Sequence, residues 1–331
     1  MIRRPPRSTL DRSSAASDVY KRQHQMGDFE PYIYKTIDYG KSWKRISGNI
    51  PKSYSSFVHV VKEDPKQEGV LYAGTDNSVY VSVDGGDYWT KINSNLPPAP
   101  VYWITIQEHF DDMVIGTYGR GFYILDDISP FREMANSNQN EVIFMPIQDA
   151  YRFQQIQSMK NDGTSLIRGQ KPSYGANIDF FLPDTNRKEV TISIQDLSGN
   201  EIRKIDPRKI TAGVNRIMWD LRYERTKTPK LKVNPDGVDW VTYNEDGWRP
   251  LRTWDIDVNN GKLGPKAVPG NYQAVLNVDG KTYSQTFQVL KDPNTAGSLK
   301  DIKAQFKYLM TLRSAINNNV DLINKIEEIR Y

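Results

Sequence analysis

Short runs in which apolar and polar residues alternate fill the region from 57 to 125: FVHVV (57–61), VLYAGT (70–75), SVYVSV (78–83), WTKI (89–92), VYWITI (101–106), MVIGT (113–117) and GFYIL (121–125). A period near two over four to six residues, punctuated by Gly, Pro, Asn and Asp, predicts short antiparallel strands. The proline-rich NLPPAP (95–100) separates four such runs from three more, so one strand set ends there and another begins.

A second β-pattern follows residue 141 without that spacing. VIFMPIQDAYRF leads in, followed by ANIDFFLP (176–183), VTISIQDLSGNEIRKI (190–205) and VNRIMWDLRYE (214–224). GNYQAVLNVDGKTYSQTFQVL (270–290) completes the set as a hairpin turning at Asp279 and Gly280. Strands at this spacing predict a β-sandwich of immunoglobulin type. After DPNTAGS (292–298) the period changes. Ile302, Phe306, Leu309, Ile316, Val320, Ile323 and Ile326 recur at helical steps and form one apolar stripe. Ser298 or Asp301 is placed to cap its start. One amphipathic helix cannot bury that stripe alone, so it docks on the sandwich or meets a partner beyond residue 331.

Within the first pattern one eight-residue string occurs twice: TIDYGKSW (36–43) and SVDGGDYW (82–89), with Asp38 and Asp84 46 positions apart. Aligning GTDNSVYVSVD (74–84) with GTYGRGFYILD (116–126) sets Asp126 over Asp84, a further 42 positions on. Four short strands per period of roughly 40–50 residues are the mark of β-propeller blades. The string then falls in the hairpin between the third and fourth strands. Gly40 or Gly86 takes a turn position of positive φ, and Asp38 or Asp84 caps turn amides. Trp43 or Trp89 folds back over the hairpin.

These strings resemble the Asp-box, [ST]-x-D-x-G-x-[ST]-W, of sialidase-type propellers, sortilin-like receptors and some endoglucanases. Thr36, Asp38, Gly40 and Trp43 match in full; Ser82, Asp84, Gly86 and Trp89 match with Tyr88 in place of a hydroxyl residue. The stretch at 116–133 keeps Asp126 without the glycine and tryptophan, and is similar to the closing blade of such proteins. At most three blades are expected, the earliest incomplete, and the strand edge left open is an aggregation hazard. VNRIMWDLR with GPKAVPGNYQAVLNVDGK resembles immunoglobulin-like modules near the C-termini of bacterial extracellular proteins.

MIRRPPRSTLDRSSAASDVYKRQ (1–23) has no hydrophobic periodicity and resembles adapter DNA read as protein at the ends of sequencing assemblies. Residues 1–28 are therefore expected to be disordered, and a secretion signal would lie upstream of this fragment. The expected organisation is a partial propeller over 29–135, a linker and sandwich over 136–292 with an insertion at 225–263, and a truncated helix over 293–331. The fold class is mainly β: two to three Asp-box blades, an immunoglobulin-like sandwich and a C-terminal α-helix.

Composition trims the functions. A net charge of +4 over 331 residues gives no basic footprint for nucleic acid, and no run approaches a membrane span. The absence of cysteine removes disulfides, thiolate metal sites and cysteine nucleophiles. DIDVNNGK (255–262) departs from a calcium loop at the glycine and at its twelfth position, so no metal or cofactor is expected.

Glycoside hydrolysis needs two carboxylates flanking a sugar bond. The candidates are Asp111 and Asp112, which read as a solvated loop; Asp126 and Asp127, which read as caps of an exit turn; and Asp87 in a hairpin. His59 and His109 show no acidic partner at motif spacing. Arg120, in YGRGF, together with Asp126 and Asp127, is a candidate ligand contact. Trp240, Trp248 and Trp254 in the insertion could stack on sugar rings or plug one end of the sandwich. The resemblance implies an exported protein, extracellular or periplasmic, that acts as a protein-, peptide- or glycan-binding scaffold completed by missing N-terminal blades. The alternative is a piece of a glycoside hydrolase whose carboxylates lie on those blades.

Overall fold

The computed structural model describes residues 19–25, 28–92, 95–153, 173–184, 186, 189–207, 209–234, 236–237, 240–249 and 262–331. The chain is mainly β, and it divides between Asn140 and Glu141 into two units.

The first unit holds three antiparallel sheets. β1 (Val19–Gln25), β2 (Asp28–Thr36) and β3 (Lys44–Arg45) form one. β4 (Val58–Glu63), β5 (Leu71–Thr75), β6 (Val79–Ser82) and β7 (Thr90–Lys91) form the second in simple sequence order. β8 (Val101–Gln107), β9 (Asp112–Thr117) and β10 (Phe122–Leu125) form the third. All seven strands expected between 57 and 125 are present, and that stretch contains no helix.

Strand β5 explains how the sheets stack. Every residue of it is buried, and successive side chains of a strand face opposite ways. Leu71 and Ala73 join Ile33, Ile46, Val58 and Trp89 in a core shared with the first sheet. Val70 and Tyr72 join Val101, Ile104, Met113 and Ile115 in a core shared with the third. A strand buried on both faces reads as a near-continuous apolar run, which is what VLYAGT is. Gly74 permits the close approach: a Cβ there would lie 2.6 Å from Val101 and 2.7 Å from Val60. No closed ring of sheets is present among the described residues.

Two expectations are corrected in this unit. Part of the segment expected to be disordered, residues 19–25, pairs antiparallel with β2 in strand β1. An edge strand offers a row of free N–H and C=O groups to any extended neighbour, whatever its side-chain pattern. Residues 129–136, assigned to the end of the propeller and the start of the linker, form helix α1 (Ser129–Asn136). Pro130 in its first turn presets the backbone.

In the second unit β11 (Ile143–Phe144), β13 (Ala176–Leu182) and β16 (Gly213–Trp219) make one sheet. β12 (Ala150–Arg152), β18 (Lys281–Lys291), β17 (Gly270–Val278), β14 (Val190–Asp196) and β15 (Glu201–Ile205) make the other, in that order. The β17–β18 hairpin turns on Asp279 (φ 50°) and Gly280 (φ 87°), the pair of positive values a two-residue turn requires. The two sheets share one core. At its centre is fully buried Trp219, with ring contacts to Tyr272 at 5.5 Å and Phe287 at 5.9 Å.

Helix α2 (Leu299–Arg330) begins on a capping box in which Ser298 and Asp301 both take part. It belongs to this unit and is not a separate body. Its docking is partial. Ile302 and Val320 are buried, whereas Leu309, Leu312, Ile316, Ile323 and Ile326 stay exposed. Part of the expected insertion covers the C-terminal half instead. Lys227 N and Lys230 N donate to Asn317 Oδ1 and Asn324 Oδ1 at 2.8 and 2.7 Å, and Lys232 N and Val233 N donate to Glu327 Oε2 at 2.7 and 2.9 Å. This segment has one antiparallel bridge, Leu231 with Arg249, and satisfies these four amides on helix side chains instead.

Candidate functional site

The two octapeptides build the same turn. Thr36 Oγ1 donates to Asp38 Oδ1 at 2.8 Å and accepts from Gly40 N at 2.9 Å, and Asp38 Oδ1 accepts from Ser42 N at 2.9 Å. Ser82 Oγ donates to Asp84 Oδ1 at 2.7 Å and accepts from Gly86 N at 2.9 Å, and Asp84 Oδ1 accepts from Tyr88 N at 2.9 Å. Gly40 and Gly86 have φ of 86° and 98°, in the region where a side chain is strained. Ser42 Oγ adds a bond to Asp38 Oδ2 at 2.6 Å, which Tyr88 does not supply to Asp84. That hydroxyl bond is the leading cause that holds the Asp38 carboxyl down at about 2, with the Ser42 amide next. These carboxylates are occupied in turn formation.

The tryptophans part company. Trp43 covers its own Gly40 as expected, but it is 42% exposed. Trp89 is 2% exposed and reaches past its hairpin, its Nε1 donating to Ile46 O at 2.6 Å. Ile46 belongs to the preceding sheet's core, and it also sits where a Cβ on Gly86 would fall, at 2.5 Å. Similar surroundings for the two rings are therefore not found. The turns match, and the neighbour beneath them does not.

The ends of the strands away from these turns carry a different group. A bulge in β4 between Val58 and Val60 sets His59 out of register with β5, and bulges commonly re-aim a side chain. His59 Nε2 lies 2.6 Å from Asp76 Oδ1 in the β5–β6 turn. Its ring stacks on Tyr102 at 4.2 Å and 15°, and Tyr102 contacts Tyr118 at 5.9 Å. Tyr102 and Tyr118 are 52% and 75% exposed. Arg120 follows Tyr118 in the exposed β9–β10 turn, held by Thr117 N and Oγ1 bonds to Gly121 O at 3.1 and 2.6 Å. His59 has no acidic partner at motif spacing in the sequence; its partner Asp76 lies 17 residues away, a separation that no short motif reports. Of the residues singled out from sequence, His59 and Arg120 lie at this end.

At the other strand ends lies a buried ion network. Arg132 Nε and Nη1 donate to Asp64 Oδ1 and Asp111 Oδ1, both at 2.8 Å. Lys66 Nζ reaches Asp111 at 2.7 Å, and Tyr72 OH donates to Asp64 Oδ2 at 3.0 Å. Burial works against the Arg132 charge, but hydrogen bonds to Asp64 and Asp111 outweigh it, so its pKa rises. The Tyr72 phenol is driven up by burial first and then by Asp64. Asp111 is therefore not in a solvated loop, as its sequence suggested. Asp112 Oδ1 accepts from Asp127 N at 3.0 Å, and Asp127 Oδ1 accepts from Ser129 N and Oγ at 3.1 and 2.6 Å. Asp127 thus holds Ser129 at the entry to α1, whose N-cap position is Ile128, and Asp126 beside it is half-buried. Asp87 pairs with Lys44 at 3.3 Å on the surface.

In the second unit Trp240 is 73% exposed and plugs nothing. Trp248 lies under Lys230 Nζ at 4.6 Å. No ring contact joins the two among the described residues, and Trp254 lies outside them.

No family model and no curated protein matches the chain. Among the solved structures that align with it are two from B. thetaiotaomicron. Both are extracellular domains of BT4673, described as a one component system in one case and a hybrid two component system in the other. Identities are 12% and 11% and TM-scores 0.21 and 0.24. The alignments cover 78% of this chain and 28% of each of theirs, so the chain spans little more than a quarter of their length. At these scores the likeness carries no argument about function. No helix among the described residues is long and apolar enough to cross a membrane.

Proposed function

We propose that residues 29–135 are successive blades of an Asp-box β-propeller and that the end bearing His59, Asp76, Tyr102, Tyr118 and Arg120 is the ligand face of a glycan-binding scaffold. The observation that carries this reading is the ring stack itself. His59, Tyr102 and Tyr118 form a partly exposed aromatic platform with a carboxylate on one side, and Arg120 sits in the turn beside it. Flat aromatic faces flanked by polar groups suit sugar rings, whose C–H faces stack and whose hydroxyls hydrogen-bond. The octapeptide turns lie at the opposite strand ends and serve stability. Further blades would seat on the face that exposes Gly40 and Trp43. The immunoglobulin-like unit is a spacer or docking module, and the location is extracellular or periplasmic.

A glycan array probed with the full chain tests this reading. The expected result is retention of specific glycans, with Tyr102→Ala and Tyr118→Ala each abolishing the signal and Trp240→Ala leaving it unchanged. Retention that survives both tyrosine changes, or selection of peptides over every glycan in parallel arrays, contradicts it. Release of reducing sugar would move the reading to the glycoside hydrolase alternative.

A further inference from the structure

In the second unit α2 passes over the sheet edge and leaves a cavity of about 910 Å³, within the range of small-molecule sites. One wall is apolar and comes from the helix: Leu309, Leu312 and Ile316, all three partly exposed. The other wall is cationic. Arg152, Arg222 and Lys266 line it, and Arg313 adds a fourth positive charge from the helix side.

These cations are placed at a cost. Arg222 and Lys266 sit directly opposite each other in an antiparallel bridge, a position where like charges repel. Each cation is tied to a main-chain carbonyl: Arg152 Nε to Ala267 O at 3.0 Å, Arg222 Nη1 to Gly264 O at 2.9 Å, Lys266 Nζ to Phe153 O at 3.1 Å, and Arg313 Nε to Glu224 O at 2.8 Å. None of the four has a carboxylate partner among the described residues. The one carboxylate on the wall, Asp301, is engaged by Ser298 N and Oγ at 3.0 and 2.6 Å. Beside Lys266, whose Nζ lies 5.0 Å from its ring, Tyr174 keeps a buried hydroxyl with no hydrogen-bond partner. Burial first, and then Arg222 and Arg152, lower the pKa of Lys266. Charges gathered and half-buried without counter-ions are the pattern of a site waiting for the opposite sign.

We propose that this cavity binds a small amphiphilic organic anion, its acidic group among Arg152, Arg222 and Lys266 and its apolar body along Leu309, Leu312 and Ile316. Guanidinium groups suit carboxylates and sulfate or phosphate esters alike through paired N–H donors.

Isothermal titration of the full chain with decanoate, decyl sulfate and decanol, each below its micelle concentration, tests the proposal. The expected result is one-to-one binding of an anion that weakens with added salt, with decanol at least about tenfold weaker. The two anions separate a carboxylate site from a sulfate-ester site. Lys266→Gln is expected to lower the affinity about tenfold or more while leaving or raising the melting temperature, because it relieves repulsion. Leu312→Gln is expected to weaken decanoate more than acetate. Decanol binding as tightly as both anions, no binding of either anion, or wild-type affinity in Lys266→Gln would each overturn the proposal. If Arg222→Gln fails to fold for want of its bond to Gly264, Lys266→Gln and the salt series still decide it.

Discussion

The indole of Trp89 donates from Nε1 to the backbone carbonyl of Ile46 at 2.6 Å, across from one sheet to the sheet before it. Ile46 also fills the space above Gly86, so the second octapeptide turn is seated on a neighbour. The first turn shares the hydroxyl and amide bonds and adds one from Ser42 Oγ to Asp38, but it has no such seat among the described residues, and its Trp43 is 42% exposed. One string of residues thus meets two environments, and its energetic worth differs accordingly.

Trp89→Ala is expected to cost about 3–5 kcal/mol, the range for large aromatic side chains removed from a core. Trp43→Ala is expected to cost less than about 1 kcal/mol, as for other surface changes. Urea denaturation followed by circular dichroism measures both. Equal losses would show that the two rings are equivalently packed.

Acid should weaken the first turn late. The Asp38 carboxyl titrates lower in the folded chain than the usual carboxylate value, at about 2, chiefly through the Ser42 hydroxyl. A depressed folded pKa gives stability that is complete above the unfolded value and is lost as pH falls through the folded one. Carboxyl chemical shifts followed from pH 5 downward should place the Asp38 midpoint well below that of an exposed aspartate. Ser42→Ala should move it upward. A wild-type midpoint at the ordinary value would contradict the turn geometry.

Arg132→Met is expected to destabilise the first unit by about 3–5 kcal/mol, because it leaves buried Asp64 without a cation and Asp111 with Lys66 alone. Asp64 and Asp111 share that guanidinium from separate strand ends. A double-mutant cycle with Asp111→Asn should show coupling of about 0.5–3 kcal/mol. Additive losses would mean that the network is not formed.

How much of this was legible beforehand follows from the range of each signal. Strands β4–β10 and the β17–β18 turn were readable because alternation and a two-residue turn are local. The amide cap by Asp38 and the positive φ of Gly40 were readable for the same reason. The His59–Asp76 contact was not, since it depends on a bulge that shifts register by one residue. The burial of Asp111 was not either: EHFDD looks like solvent-facing loop sequence until Arg132, 21 positions on in a helix that was not foreseen, supplies its partner. Strand β1 formed from a segment with no pattern, because backbone pairing needs none. For α2 the stripe was read correctly but its cover was not. Asparagine and glutamate side chains on the helix caught the amides of an extended segment, an arrangement with no periodic trace in sequence.

Glu327→Ala is expected to free that segment. Its carboxylate accepts from Lys232 N and Val233 N, and those bonds, Val233 first, hold its pKa below the usual glutamate value. Bonds to a charged acceptor are worth about 1.5–3 kcal/mol each. Amide exchange at Lys232 and Val233 should accelerate markedly in the variant and should change little in Glu328→Ala. The segment should stay held down to pH values below the ordinary range of glutamate. Unchanged exchange at both amides would show that the segment is held by other contacts.

The stacking of like sheets, one hairpin seated on the sheet before it, is read most directly by exchange of the two indole N–H protons in the full chain. With Trp89 bonded to Ile46 and buried, its indole proton should exchange only through opening of the unit, orders of magnitude slower than that of Trp43, which should exchange nearly as fast as in an unfolded peptide. Comparable protection of the two, or a fast Trp89 proton, would mean that the second turn is not seated on its neighbour and that the sheets do not stack as described.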